Sequence, residues 1–221
     1  MQNTLPADPT LDEIRDIVSA RLASHAGFDG WNGKAVTAAA VEIGADGDLA
    51  NLACKGRAID LIGFWIDAVD AEMARRLPDD ILGAMKIRAR ITSIIATRLE
   101  IMAPDKEALR RALTIMAMPQ NVVTSAKLGW RSADRMWRLA GDTATDFNHY
   151  TKRMTLSAIY GSVLAAFVND DSDNFTETRA FLDRRIENIM QFEKAKAGAM
   201  ARRENLPSLS RLIGRMRYPA K

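Results

Sequence analysis

The chain has 221 residues, of which 48% are hydrophobic and 27% charged, with 31 basic and 28 acidic side chains. That is globular composition and excludes a disordered chain, while a single cysteine, Cys54, excludes disulfide scaffolds and cysteine-rich zinc modules and suits a reducing compartment. The net charge of +3 is unevenly divided: eight basic side chains against Glu204 give residues 194–221 a charge of +7, which leaves −4 on residues 1–193. A basic terminal segment on an acidic body points to an anionic partner for the tail alone, a phosphate backbone or a lipid surface. No apolar run approaches the roughly 18–20 residues that span a bilayer. Met1–Thr10 is polar, with neither a basic nor an apolar region of signal-peptide type.

Prolines at positions 6, 9, 78, 104, 119, 207 and 219 leave every stretch of helical periodicity uninterrupted. An interior proline costs a helix about 3 kcal/mol, so the segments between prolines are the predicted helices. Three short ones come first, at about 9–25, 32–43 and 47–54. Longer ones follow at about 57–77, 80–102, 105–118, 121–140, 148–168 and 175–203, then a terminal segment at 207–217. From Ile59 to Met73 the helix is apolar around much of its circumference, which predicts a central position. Ile81, Leu82, Met85, Ile91, Ile94, Ile95 and Leu99 form one stripe, and Leu156, Ile159, Tyr160, Val163, Leu164, Phe167 and Val168 another. Asp79, Asp105 and Asn174 (three before Glu177) are the expected caps. Alternating strand patterns are missing. The reading is an all-α bundle of about nine to ten helices. It divides into a helix-turn-helix-like head (1–56), a helical bundle (57–203) and a basic amphipathic C-terminal segment (204–221).

Three short helices followed by longer ones is the outline of a TetR-type regulator. Charge argues against its usual partner. Residues 1–56 hold Arg15, Arg21, Lys34 and Lys55 against eight acids, and the segment in the recognition-helix position, Gly47 to Cys54, has no arginine and is led by Asp46 and Asp48. DNA-binding heads need several cationic contacts to phosphate. A head of net charge −4 is repelled, so nucleic acid is not expected as a partner.

Enzyme motifs are scarce: there is no glycine-rich phosphate loop, no nucleophile elbow and no His-Glu-x-x-His pair. His149 stands near Asp146 and Tyr150, but Asp146 and Asn148 read more simply as caps. Asp170, Asp171 and Asp173 lack the mid-loop glycine and terminal glutamate of a calcium loop and read as a solvated interhelical loop. Cys54 reads as a buried, inert thiol.

Beyond Pro207, Leu209, Leu212, Ile213 and Met216 recur at helical spacing, with Arg211, Arg215 and Arg217 on the remaining positions. A short basic amphipathic helix of this kind is a membrane-surface element or a partner-docking helix, or else a terminal helix folded back on the bundle. The expected membrane contacts are Leu209, Arg211, Leu212, Ile213, Arg215 and Met216.

One segment is more specific. Met136-Trp137 is followed by Ala140-Gly141-Asp142, Asp146-Phe147-Asn148-His149-Tyr150-Thr151-Lys152-Arg153, then Leu156, Tyr160 and Phe181-Leu182-Asp183-Arg184-Arg185-Ile186. This run is similar to the ubiquinone-biosynthesis accessory lipid-binding family, the ninth of the numbered coenzyme Q set. The likeness extends from about Leu11 to Glu193 and is strongest over 128–193. The resemblance implies a TetR-like homodimer that is not an enzyme and binds no DNA. It implies no cofactor but a bound isoprenoid quinone or other lipid as ligand. It also implies peripheral attachment to the cytoplasmic face of the inner membrane, and presentation of the quinone intermediate to the di-iron demethoxyubiquinone hydroxylase. Leu128, Asp134, Trp137 and Arg138 would form the partner-facing patch. The alternative is a TetR-type transcriptional regulator sensing a lipid-like ligand.

Overall fold

A computed structural model describes residues 5–188, apart from 144 and 146, together with residue 191. The described residues are helical, with no strand. The chain forms two compact units, Met1–Leu182 and Asp183–Lys221. In the second, the described residues 183–188 are helical; the predicted segment 207–217 and the rest of 204–221 lie outside the described residues.

The first unit begins with α1 (Leu11–Asp29), α2 (Gly33–Glu42) and α3 (Gly47–Ala53). Each starts where a short polar side chain satisfies otherwise unpaired backbone N–H groups. Thr10 and Glu13 form a reciprocal capping box, Asn32 accepts from the N–H groups of Lys34 and Ala35, and Asp46 accepts from those of Asp48 and Leu49. The three helices meet through alanines: Ala23, Ala26, Ala35, Ala39, Ala40 and Ala50 are all buried, and small side chains let the helix axes come close. Trp31 then fastens this head to the bundle. Its ring lies 5.2 Å from that of Trp65, and its Nε1 donates to the Ala108 carbonyl at 3.1 Å.

The bundle comprises α4 (Ala58–Arg76), α5 (Asp79–Gly83), α6 (Ile87–Met102), α7 (Lys106–Met116), α8 (Val122–Leu139) and α9 (Phe147–Phe167). Helix α4 is central, packing against α1, α6, α7 and α8. The single helix predicted over 80–102 is in fact two. The Met85 N–H turns back to the Leu82 carbonyl, Lys86 is extended, and Arg90 reaches over the break to the carbonyls of Gly83 and Met85. Neither expected cap at 79 or 105 forms: Pro78 occupies the N-cap of α5 with Asp79 in its first turn, and Asp105 precedes α7 without a side-chain cap bond.

The acidic loop after α9 is solvated at Asp171 and Asp173, as expected, but not at Asp170. Asp170 is buried, and its carboxylate accepts from the backbone and hydroxyl of both Ser172 and Thr178. Those bonds, rather than Asn174, start the helical stretch that begins at 176; Asn174 and Phe175 instead adopt left-handed backbone. Phe175 is held by an edge-on contact with Phe167 at 4.8 Å, with the Lys106 ammonium over both rings. Four hydrogen bonds hold the Asp170 carboxyl well below the usual carboxylate range despite its burial, which alone would raise it. Among the described residues, no helix is long and apolar enough to cross a membrane.

Candidate functional site

Helices α4, α6, α7, α8 and α9 do not close completely on one another. They leave a cavity of about 510 Å³ whose wall is almost wholly apolar. Ile62, Trp65 and Ile66 come from α4, Leu109, Leu113 and Met116 from α7, and Leu164 from α9. Helix α8 contributes Leu128 and the half-buried Trp130. The exposed wall residues Ala126, Met154, Ala158 and Gly161 place the opening along α8 and α9. A space of this volume lies within the range of small-molecule sites, and its lining selects an apolar occupant.

The polar side chains of the wall are Ser125 and Ser157, whose hydroxyls donate to the Met116 and Gly129 carbonyls, and a cluster around Arg98. Arg98, only 1% exposed, lines the cavity beside Ser132 and Tyr160. Its Nε donates to the Tyr160 hydroxyl at 2.9 Å, one Nη donates to the Ser132 hydroxyl at 3.4 Å, and the guanidinium carbon lies 4.9 Å from the Tyr160 ring centre. The other Nη forms an ion pair with Asp70, itself 2% exposed. Arg135 reaches Asp70 at 3.1 Å and Asp67 at 2.9 Å, and Arg131 reaches Asp67 at 2.9 Å. A buried guanidinium is tolerable only with such pairing. The chain of charges therefore runs from the cavity wall, through α4, to the half-exposed arginines of α8.

A second charged cluster ties α8 to α9 on the other side of the turn at Gly141. There Arg153, 1% exposed, donates to Asp134 at 2.6 Å, to Asp142 at 3.0 Å and to the His149 carbonyl at 3.1 Å. Lys152 pairs with Asp142 at 2.6 Å and lies over the Trp137 ring, whose Nε1 donates to the Lys152 carbonyl at 3.0 Å. Gly141 makes the turn possible: its φ of +87° lets α8 end, with the Asp142 N–H returning to the Trp137 carbonyl. Burial alone would raise both aspartates. Hydrogen bonds and charge from Arg153, with Arg138 on Asp134 and Lys152 on Asp142, bring both below the ordinary carboxylate range.

Three of the four residues expected on the partner-facing patch are thus brought together. Asp134 bonds to Arg138 at 2.7 Å, and Trp137 joins them through the Lys152–Asp142 pair. Leu128 is apart from them, buried in the cavity wall. Leu209, Arg211, Leu212, Ile213, Arg215 and Met216 lie outside the described residues. His149 packs its ring near Trp130 and Tyr150; Asp146, expected as a cap beside it, is outside the described residues. On the head, α3 presents Asp48, Leu49 and Leu52 to solvent and carries no basic side chain. Cys54 is buried, which pushes its thiol up to about 11, so no thiolate forms near neutrality. Among the described residues, no group of three or more His, Cys, Asp or Glu side chains is placed to hold a metal.

Residues 122–193, spanning α8, α9 and the helical stretch beyond, match the COQ9 family. The chain is 31% identical over 168 residues to the human protein named "Ubiquinone biosynthesis protein COQ9, mitochondrial", covering 73% of this chain and 52% of that one. To the rat protein of the same name it is 32% identical, covering 73% and 54%. The chain therefore spans about half the length of the curated relatives it matches. Among solved structures it is similar to a TetR transcriptional regulator from Nitrosomonas europaea ATCC 19718. There the TM-score is 0.62 at 20% identity, over 80% of this chain and 97% of that one. At that identity the likeness is one of fold.

Proposed function

The chain belongs to the COQ9 family, and from that premise we propose that it acts in ubiquinone biosynthesis as a lipid-binding accessory protein, by binding rather than turnover. The observation that carries the reading is the apolar cavity of about 510 Å³. The ligand is an isoprenoid quinone intermediate, whose transfer from a bilayer to water is costly unless apolar surface replaces the membrane. The basic amphipathic segment 204–221 docks on anionic lipid at the cytoplasmic face of the inner membrane, each basic residue contributing about 1 kcal/mol near the surface. Asp134, Trp137 and Arg138 recruit the di-iron demethoxyubiquinone hydroxylase. The chain works as a homodimer. Exposed Val122 and Val123 on α8 and Tyr150 on α9, none of which lines the cavity, support an apolar surface open to a second copy.

The TetR-like fold favours one other reading, a lipid-sensing repressor. The cation-free α3 and the net negative head argue against it. Mass spectrometry of lipid co-purifying with the full chain, and with a chain ending at residue 206, tests the proposal. Expected are a quinone or isoprenoid in both preparations and liposome binding by the full chain alone. Absence of any such lipid, together with no liposome binding, overturns it, as does sub-micromolar, salt-dependent binding to an operator DNA.

A further inference from the structure

The Ser125 and Ser157 hydroxyls in the cavity wall already donate to the Met116 and Gly129 carbonyls, and the remaining polar place, around Arg98, has an unusual hydrogen-bond arrangement. The Tyr160 oxygen accepts from the Arg98 Nε at 2.9 Å, so a lone pair is taken by a buried cation. Its own O–H points to the Met102 sulfur at 3.9 Å, and a thioether is a weak acceptor. A phenol that accepts from a guanidinium becomes a stronger donor, because successive hydrogen bonds polarise one another in a low-dielectric interior. The cavity wall thus holds a strengthened O–H with no comparably strong acceptor from the protein.

Arg98 is paired within the protein, and the one excess positive charge of its network sits at the half-exposed Arg131 and Arg135, outside the cavity wall. Asp70 pairs with Arg98, and Arg135 supports Asp70 from the far side. Among the described residues no other charged side chain lines the cavity. An anionic head group brought here would meet the Asp70 carboxylate across the guanidinium with no second cation in the wall, after losing its own hydration. An uncharged oxygen acceptor carries neither cost, and Ser132 beside Arg98 offers a second hydroxyl.

We propose that Tyr160, set by Arg98 and Asp70, is the head-group-recognising residue of this cavity, and that it selects a lipid with an uncharged acceptor oxygen, a ring carbonyl above all, over an acidic lipid or a plain hydrocarbon. The assignment rests on the cavity being the lipid site. Tyr160 makes the contact; Arg98 and Asp70 act through it as positioning residues.

Three probes of similar length separate the possibilities: decylubiquinone (carbonyl head), dodecylbenzene (no acceptor) and dodecanoate (anionic head). Each is titrated against the full chain and the Tyr160→Phe variant, with occupancy read by native mass spectrometry. The full chain should bind decylubiquinone in preference to both others. Tyr160→Phe keeps the ring and its packing, and should lower decylubiquinone affinity roughly threefold to tenfold, as for loss of one hydrogen bond, with dodecylbenzene affinity unchanged. Unchanged decylubiquinone affinity in the variant overturns the assignment. So does an equal loss for both neutral probes, or dodecanoate binding as tightly as decylubiquinone to the full chain. If no probe binds the full chain, the cavity is not a lipid site, and the reading it rests on falls with it. A cooperative thermal unfolding transition of the variant above the assay temperature confirms that the comparison is made on a folded protein.

Discussion

Two arginines of this bundle are almost completely buried, and they are buried differently. Arg153 is surrounded by Asp134 and Asp142, each of which also receives a second cation, and its remaining bond goes to a backbone carbonyl. Arg98 has one carboxylate, Asp70, and spends its other bonds on the neutral hydroxyls of Tyr160 and Ser132. The first is a clamp: charge answers charge, and the result fixes the α8–α9 turn. The second turns a cation's hydrogen bonds toward groups that face a cavity. Burying a guanidinium in an apolar wall carries a desolvation cost that pairing only partly offsets, so stability alone does not account for Arg98 there.

The largest effects should fall on the clamp. Arg153→Met leaves the buried Asp142 with Lys152 alone and Asp134 with an exposed partner, and breaking a buried pair costs about 3–5 kcal/mol. Urea denaturation measures it. Arg98→Met should fall at the lower end of that range, about 3 kcal/mol, since it strips one carboxylate rather than two and Arg135 stays on Asp70. The double variant Arg98→Met, Asp70→Leu should recover most of that loss. Equal losses for the two single variants would erase the distinction and make Arg98 a second structural clamp.

Acid should separate the two sites next. Asp134 and Asp142 both titrate below their ordinary value in the folded protein. Their contribution is therefore complete above the unfolded carboxylate value, about 3.9, and is lost as pH falls through the lower folded values. Stability of the parent should fall steeply below about pH 4, and the Arg153→Met variant should show a shallower slope over the same range. An unchanged slope would mean that these two carboxylates do not carry the acid sensitivity.

The positions of both arginines are partly visible in the chain, though not their purposes. Arg98 follows Ile91, Ile94 and Ile95 at helical spacing, so it occupies the buried register of its helix; Arg153 stands three before Leu156 and seven before Tyr160 in the same way. A charge in an apolar register signals a partner, but Asp70 lies on another helix, and no local pattern joins residues 28 apart. The cavity was illegible for a related reason. Ile62, Leu109 and Leu164 read as core whether the helices close on one another or stop short, because spacing reports which face is apolar and not how far apart two such faces stand. The helical order, the short head, the central α4 and the missing cations of α3 were legible, since each is a property of contiguous residues. The break at residues 84–86 was not, because Ala84-Met85-Lys86 has no proline and continues the apolar stripe across the gap. Asp170 reads as solvated because acidic loops usually are, yet two of its four hydrogen bonds come from Thr178, eight residues on.

A smaller effect should fall on the cavity side. Tyr160→Phe removes the acceptor of the buried Arg98 Nε, while its own donor bond goes only to a thioether, so its stability cost should be about 1.5–3 kcal/mol. A loss well above about 3 kcal/mol in the same denaturation experiment would place Tyr160 with the clamp, as a residue that holds the fold rather than one that faces a ligand.

The smallest stability effect should come from Arg138, and it tests whether the clamp also builds a surface. Its side chain is 70% exposed and pairs with Asp134 at 2.7 Å, one turn earlier on α8. Exposed pairs at this spacing contribute about 0.3–0.5 kcal/mol, so Arg138→Ala should leave urea unfolding almost unchanged. Asp134 keeps Arg153, and Trp137 keeps Lys152, so the surface left behind retains its shape. If this face recruits the hydroxylase, capture of that enzyme by the immobilised variant should fall at least severalfold while stability stays level, because an arginine at an interface is among the residues most often responsible for affinity. Unchanged capture would remove Arg138 from the patch, and the clamp beneath it would then serve the α8–α9 turn alone.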